Sequence, residues 1–305
     1  MNLLEDLVAS LPQATIHEIN LGKYWTLVQV ENEGRLYGGL AATQQHGNPA
    51  APASQQAVDK LIGAPVKTAA GLVFSADPVE VSIGMATINA SLPREPQTWV
   101  TLNAEEYIRE HGAGKKVVVV GHFPFIERIR PDIQELSVLE LQPKDGDLPA
   151  SAAPQVIPAA DVVAITGMTL LNGPFDGLLE LCRPETHCIV LGPSTPVSPL
   201  LFARGVDVLC GAIVEDYERV RGMVMQGATM SQVNKAGGVQ GQSVELAVLD
   251  DVGHPEETVT KTRKLLSESK PVVLAGYFGN RNLSALLESK ALDGSQIPLV
   301  GYQST

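Results

Sequence analysis

The sequence predicts an α/β protein in which a small α+β domain precedes a domain built on a parallel sheet. Three observations carry that prediction. The first 42 residues alternate apolar and polar side chains in three short runs around turn residues, and from about residue 103 strands alternate with helices. Between them in importance stands Lys115–Pro124, KKVVVVGHFP, which sets a continuous apolar run against a glycine and then a histidine. An apolar run without alternation, such as Val117–Gly121, reads as a strand covered on both faces, as at the centre of a parallel sheet.

The first domain is expected over residues 1–102. Asn2 to Leu11 has the period of a short amphipathic helix. The stretches 14–21, 24–31 and 35–42 then form an antiparallel meander, turned at Leu21-Gly22-Lys23 and Asn32-Glu33-Gly34. Helices follow at about 54–62, stopped by Gly63, and at 78–91. There Asp77 is the N-cap, Pro78 takes the first helical position and Glu80 completes a capping box.

The second domain is expected over residues 103–253, opened by a helix that Asn103 and Glu106 cap. Strands read at 116–121, 136–141, 161–166, 188–192, 206–211 and 244–249, and helices near 124–131, 174–182, 197–204 and 215–226. Ala150–Pro158 reads as a Pro/Ala-rich loop. Alternation of this kind implies right-handed crossovers and a parallel sheet. A third segment, 254–305, repeats helix, strand (Val272–Tyr277), helix, strand (Ile297–Tyr302). Its apolar strands PVVLAGYF and IPLVGY suit an extension packed on the sheet.

Composition narrows the function classes. With 34 acidic and 22 basic residues the net charge is -12, and no basic cluster offsets it, which argues against nucleic acid or anionic membrane as a partner. A small molecule or another protein, including a second copy of the chain, suits the surface better. No apolar run reaches the roughly 18 residues of a spanning helix, and Met1–Pro12 lacks a basic leader, so the expected location is the cytoplasm. Three cysteines, Cys182, Cys188 and Cys210, without CxxC spacing read as reduced thiols.

Parallel strands send their following loops to one edge, where open α/β sheets bind ligands. Four loops there carry polar residues that a bare fold does not require. Gly121-His122-Phe123-Pro124 leaves the central strand. Glu140 closes the next strand, 19 residues past Gly121. That is the spacing of a ribose-binding acid, but no GxGxxG accompanies it, so a nicotinamide cofactor is disfavoured. Thr166–Gly173 presents Thr169 and Asn172 before a helix opened by Pro174, which Asn172 is expected to cap. Gly192-Pro193-Ser194-Thr195-Pro196 is a stiff loop with two hydroxyls. Hydrolytic chemistry finds no GxSxG elbow, leaving a Ser194–His122 pair without support, and adjacent His187 and Cys188 point to opposite faces of a strand.

Taken together, GHFPFI, VLELQP, AITGMTLLNG and LGPSTPVSPLLFARGVDVLCG, preceded by IGMATINA, resemble the bacterial and archaeal family described as "putative heavy-metal chelation". The likeness covers about residues 1–245. It implies an enolase N-terminal-like domain followed by a Rossmann-like domain, with a site in the cleft between them. It further implies that Gly121, His122, Glu140, Thr169, Asn172, Gly192, Pro193, Ser194 and Thr195 face that cleft, with Asn89 approaching from the first domain. Met168 stands where a smaller or hydroxylated residue is expected.

The leading functional expectation is a protein that handles a divalent transition metal, or a metal-bearing cofactor precursor, in this cleft. His122 is the metal ligand or proton acceptor and Glu140 supplies charge, because a neutral imidazole can do either near neutral pH. The alternatives are a non-catalytic module for a nucleotide-like or acidic metabolite, and transferase or lyase chemistry on such a ligand.

Overall fold

The computed structural model describes residues 2–44, 52–94, 103–235, 239–245, 254–269, 274–275, 280–292 and 299–300. It is a mixed α/β structure. The meander is β1 (Thr15–Leu21), β2 (Trp25–Asn32) and β3 (Arg35–Ala42). The parallel strands are β4 (Lys116–Val120), β5 (Glu135–Glu140), β6 (Leu148–Pro149), β7 (Val162–Thr166), β8 (His187–Leu191) and β9 (Val208–Val214), followed by β10 (Val239–Glu245). One sheet holds them in the order β1-β2-β3-β9-β8-β7-β4-β5-β6, with β10 also paired to β9. Pairing is antiparallel from β1 to β9 and parallel from β9 to β6.

The valine run of β4 lies inside this sheet, between β7 and β5. Its alternate residues enter different cores. Val118 and Val120 join Val163, Ile165, Val190 and Leu209 on one face, and Val117 and Val119 join Val162, Ala164, Ile189 and Val208 on the other. Burial on both faces is why the strand carries no polar alternation.

The meander does not form a separate sheet. It is welded to the parallel strands where Gly38 of β3 pairs with Val214 of β9. A Cβ on Gly38 would lie 2.8 Å from Val214 Cγ1 and 2.9 Å from Tyr217 Cδ2, and one on Gly39 would lie 2.5 Å from the Ala86 carbonyl oxygen and collide with Ala90 N. Two glycines thus let β3 touch β9 on one face and the helix Pro78–Ser91 on the other. That helix is buried almost all round, from Val79 to Ser91 except Glu80 and Asn89, as its lack of a polar stripe requires.

Side-chain bonds reinforce the weld. Arg221 donates to Glu18 at 3.0 Å and Asn20 donates to the Tyr217 hydroxyl at 3.0 Å, fastening β1 to the helix Tyr217–Met225. Burial pushes the Glu18 carboxyl up, but the hydrogen bonds from Arg221 and Asn20 outweigh it and hold it below the usual carboxylate range. Arg204 reaches Asp6 of the first helix at 2.8 Å.

Several local expectations change. The Asp77 side chain caps the helix from Val79 N and Glu80 N, but Glu80 takes the Ser75 hydroxyl instead of closing a capping box, because Ser75 Oγ already satisfies Asp77 N. Ala150–Ala159 is a chain of short helical turns rather than a loop, since proline is tolerated in the first turn. Residues 168–172 are helical, and β6 was not foreseen.

Compact units lie within Met1–Pro93 and Thr101–Val244, and within Arg94–Val100 and Glu245–Thr305. In the second, helices Pro255–Lys264 and Asn280–Glu288 pack together, and β11 (Leu274–Ala275) pairs in parallel with β12 (Leu299–Val300). The flanks of the expected strands at 244–249, 272–277 and 297–302 lie outside the described residues. No helix among the described residues is long and apolar enough to cross a membrane.

The weld makes a stability contrast. Gly39→Ala is expected to lose about 1–3 kcal/mol through overpacking against helix backbone. Gly177→Ala, within the helix Phe175–Glu180 and with nothing within 4 Å of the added methyl, is expected to gain roughly 0.5–1 kcal/mol. Urea unfolding of both variants checks the pair; equal stability of Gly39→Ala and the parent would contradict the weld.

Candidate functional site

Strand β4 is followed by Gly121, whose φ of +101° strongly favours glycine, and β8 by Gly192 with φ +111°. Both turns lean on one residue of the strand between them. The Cβ position of Gly121 lies 3.0 Å from Thr166 Cγ2, and that of Gly192 lies 4.0 Å from Thr166 Oγ1. The carboxyl ends of β4, β7 and β8 therefore form one continuous crest.

On the β5 side, the first residue past Gly121 is held twice. His122 N donates to Glu140 Oε1 at 2.8 Å, while Leu141 N donates to the other oxygen at 2.9 Å, so Glu140 spends both oxygens on backbone. The His122 ring turns to a residue that the sequence reading missed, Asp147, with Nδ1 3.0 and 3.2 Å from its two carboxylate oxygens. The Asp147 side chain is 2% exposed and that of His122 25%. A carboxylate can only accept, so Nδ1 carries the proton and Nε2 of the neutral ring keeps its lone pair.

Asp147 is placed by its own turn. Its N–H donates to the Lys144 carbonyl at 2.9 Å, and Lys144 N donates to Asp147 Oδ2 at 3.1 Å. The signal was present in Lys144-Asp145-Gly146-Asp147, a turn sequence that Gly146 completes at φ +90°.

On the β8 side, the Ser194 and Thr169 hydroxyls are engaged with the fold. Ser194 Oγ accepts the Ala42 N–H at 2.9 Å, binding the stiff loop to the end of β3. Among the described residues no hydrogen bond joins Ser194 to His122. Thr195 approaches Gly167 so closely that a Cβ there would lie 2.7 Å from Thr195 Oγ1, and that buried hydroxyl has no hydrogen-bond partner among the described residues. Asn89 Nδ2 donates to Leu40 O at 2.8 Å and reaches Pro193 O at 3.4 Å, whereas its buried Oδ1 has no such partner. Thr169 is buried and donates to the Thr166 carbonyl at 2.7 Å.

Asn172 is exposed at the end of the helix Met168–Asn172. The following helix has Pro174 at its N-cap position and no side-chain cap bond, so Asn172 does not cap it. Gln44, also missed, donates to the Leu171 carbonyl at 3.4 Å and brings the end of the meander to this loop. Around His122, Phe123 and Phe125 stack with ring centres 5.2 Å apart, and Leu141 is 72% exposed. The chemistry on offer is thus one oriented imidazole with an apolar border, not a cage of anionic ligands. Among the described residues no three His, Cys, Asp or Glu side chains converge on a metal position.

Comparison with known proteins agrees with this architecture. Two family profiles, both described as "Putative heavy-metal chelation", match residues 4–92 (DUF4213) and 103–240 (DUF364). The chain belongs to this family. A crystal structure of a DUF364 protein of unknown function from Desulfitobacterium hafniense superposes with a TM-score of 0.71 at 28% identity, over 80% of this chain and 98% of that one. One from Pyrococcus horikoshii gives 0.68 at 16% identity over the same shares, a likeness of fold alone. An uncharacterised protein of Methanocaldococcus jannaschii is 26% identical over 193 residues, 58% of this chain and 70% of its own. A profile described as "Periplasmic binding protein" matches residues 227–305.

Because Glu140 serves backbone, its loss should register first as stability. Glu140→Ala is expected to destabilise the protein by about 1–3 kcal/mol, the cost of orphaning the part-buried His122 N–H, since the exposed Leu141 N–H passes to water. Chemical denaturation measures it, and an unchanged midpoint would show that the two N–H groups are satisfied elsewhere.

Proposed function

We propose that this protein binds a small molecule that already carries a divalent transition metal, and that His122 Nε2 supplies a protein ligand to that metal. The supporting observation is the carboxylate behind the ring. Metal-binding histidines commonly donate their second N–H to a carboxylate, which fixes the tautomer and makes the ligating nitrogen more basic, and Asp147 stands 3.0 Å from His122 Nδ1 in that position. The metal is cargo in this reading. A single imidazole holds a bare ion weakly, so the small molecule provides most of the ligands. The family description supports the choice of a metal over an acidic metabolite.

The remaining cleft residues then recognise the organic part. Asn89 Oδ1 and Thr195 Oγ1 suit polar groups of the ligand, and Gly121, Gly192 and Pro193 give close approach to backbone. Glu140 positions His122 through its main chain. The enolase N-terminal-like and Rossmann-like reading of the two regions of the sheet belongs to the same proposal, as does a cytoplasmic location, which the three free thiols suit.

Calorimetric titration with Co2+ alone and with Co2+–nitrilotriacetate tests the reading. The chelate is expected to bind and the bare ion to bind more weakly. His122→Ala should abolish chelate binding in a protein that still folds, with a melting temperature lowered because the buried Asp147 carboxylate loses its ring partner, and Asp147→Asn should weaken binding by about 10–100-fold. Chelate affinity preserved in His122→Ala would overturn the proposal.

A further inference from the structure

The imidazole of His122 is bordered by two apolar side chains. Glu140 accepts His122 N with one carboxylate oxygen at 2.8 Å and Leu141 N with the other at 2.9 Å, so the two residues leave a single carboxylate side by side. Leu141 is nonetheless 72% exposed, the most of any large apolar residue described. Phe123 follows His122 in the chain and is partly exposed. Its ring is held by stacking on buried Phe125, with centres 5.2 Å apart and planes within 12°, and its Cε2 is 3.5 Å from the Cβ position of Gly121. A lone exposed leucine needs no explanation, but one paired with a partly exposed ring beside a candidate ligand nitrogen forms a small apolar surface at the site.

Charge around this surface has one dominant sign. The segment Glu140–Asp147 sets Glu140, Asp145 and Asp147 against Lys144. The other loops of the crest, Gly121–Phe125, Thr166–Gly173 and Gly192–Pro199, contain no Lys, Arg, Asp or Glu. Lys144 is therefore the single formal cation that these four segments offer an anionic ligand, whereas a cationic one meets net negative charge.

We infer, on the reading that His122 ligates the metal, that the metal-bearing molecule is a flat, uncharged, nitrogen-heteroaromatic chelator whose metal complex stays cationic, and not a polycarboxylate. Its ring system lies against Leu141 and Phe123, where removal of apolar surface from water and contact between rings both favour it. The uncancelled charge of the metal faces Glu140, Asp145 and Asp147, and His122 Nε2 takes a coordination position that water held. A polycarboxylate would cancel that charge and turn its own carboxylates toward those of the protein.

Calorimetric titration of the full chain with the 1:1 complexes of Zn2+ with terpyridine, a flat dication, and with nitrilotriacetate, an anion, tests this. The terpyridine complex is expected to bind about tenfold more tightly or better, with a preference that narrows as salt is raised. Leu141→Ser, at an exposed position, should weaken the terpyridine complex by about fivefold and leave the nitrilotriacetate complex unchanged. Phe123→Leu, which keeps apolar bulk without the ring, should act in the same sense, with thermal melting confirming that both variants are folded. Equal or tighter binding of the nitrilotriacetate complex, or a Leu141→Ser variant that loses both complexes alike or neither, would overturn the chelator class while His122 dependence still stands. Undiminished binding of both complexes by His122→Ala would instead remove the metal-ligand reading, and the inference with it.

Discussion

The close approach of β3 to both β9 and the helix Pro78–Ser91 is the constraint on which the rest of the structure depends. Without side chains at Gly38 and Gly39 the backbone of β3 can lie against Val214 on one side and against Ala86 and Ala90 on the other. That contact joins an antiparallel meander to a parallel sheet, and it fixes the height of Asn89 above the β8 loop. The Ala42 N–H to Ser194 bond follows from it. A change of even a methyl at this seam is felt because protein interiors are close-packed.

Much of the fold was legible because burial writes itself into period. The meander was placed to within a residue, as 35–42 against Arg35–Ala42, and the helix 78–91 matched its observed bounds, since its cap and proline mark the start. The continuous valines of β4 told of two-sided cover, which the two cores supply. What the sequence concealed was long-range. The pairing of β3 with β9 joins residues 38 and 214, and no local pattern signals a partner so far away. The helix Met168–Asn172 was hidden by the turn residues at its ends, and β6 is only two residues long.

The candidate site shows the same division. Residues at strand ends, Gly121, His122, Glu140 and Gly192, were legible because topology alone gathers the loops of parallel strands. Their partners were not. Asp147 lies behind His122 through a turn whose direction only the fold determines, and Glu140, read as a source of charge, instead holds the loop by its backbone. The result is an oriented imidazole with a glycine-bordered surround at the carboxyl ends of the strands.

The central claim is that the imidazole of His122 completes the coordination of a metal carried by a small molecule. The most direct measurement is a crystal structure with Co2+–nitrilotriacetate, collected at the cobalt absorption edge. The account expects one anomalous peak about 2.1 Å from His122 Nε2, a normal metal–imidazole distance, with Asp147 still on Nδ1 and the chelator retained. A peak held by protein side chains elsewhere, or cobalt stripped from its chelator and bound by protein donors alone, would contradict it.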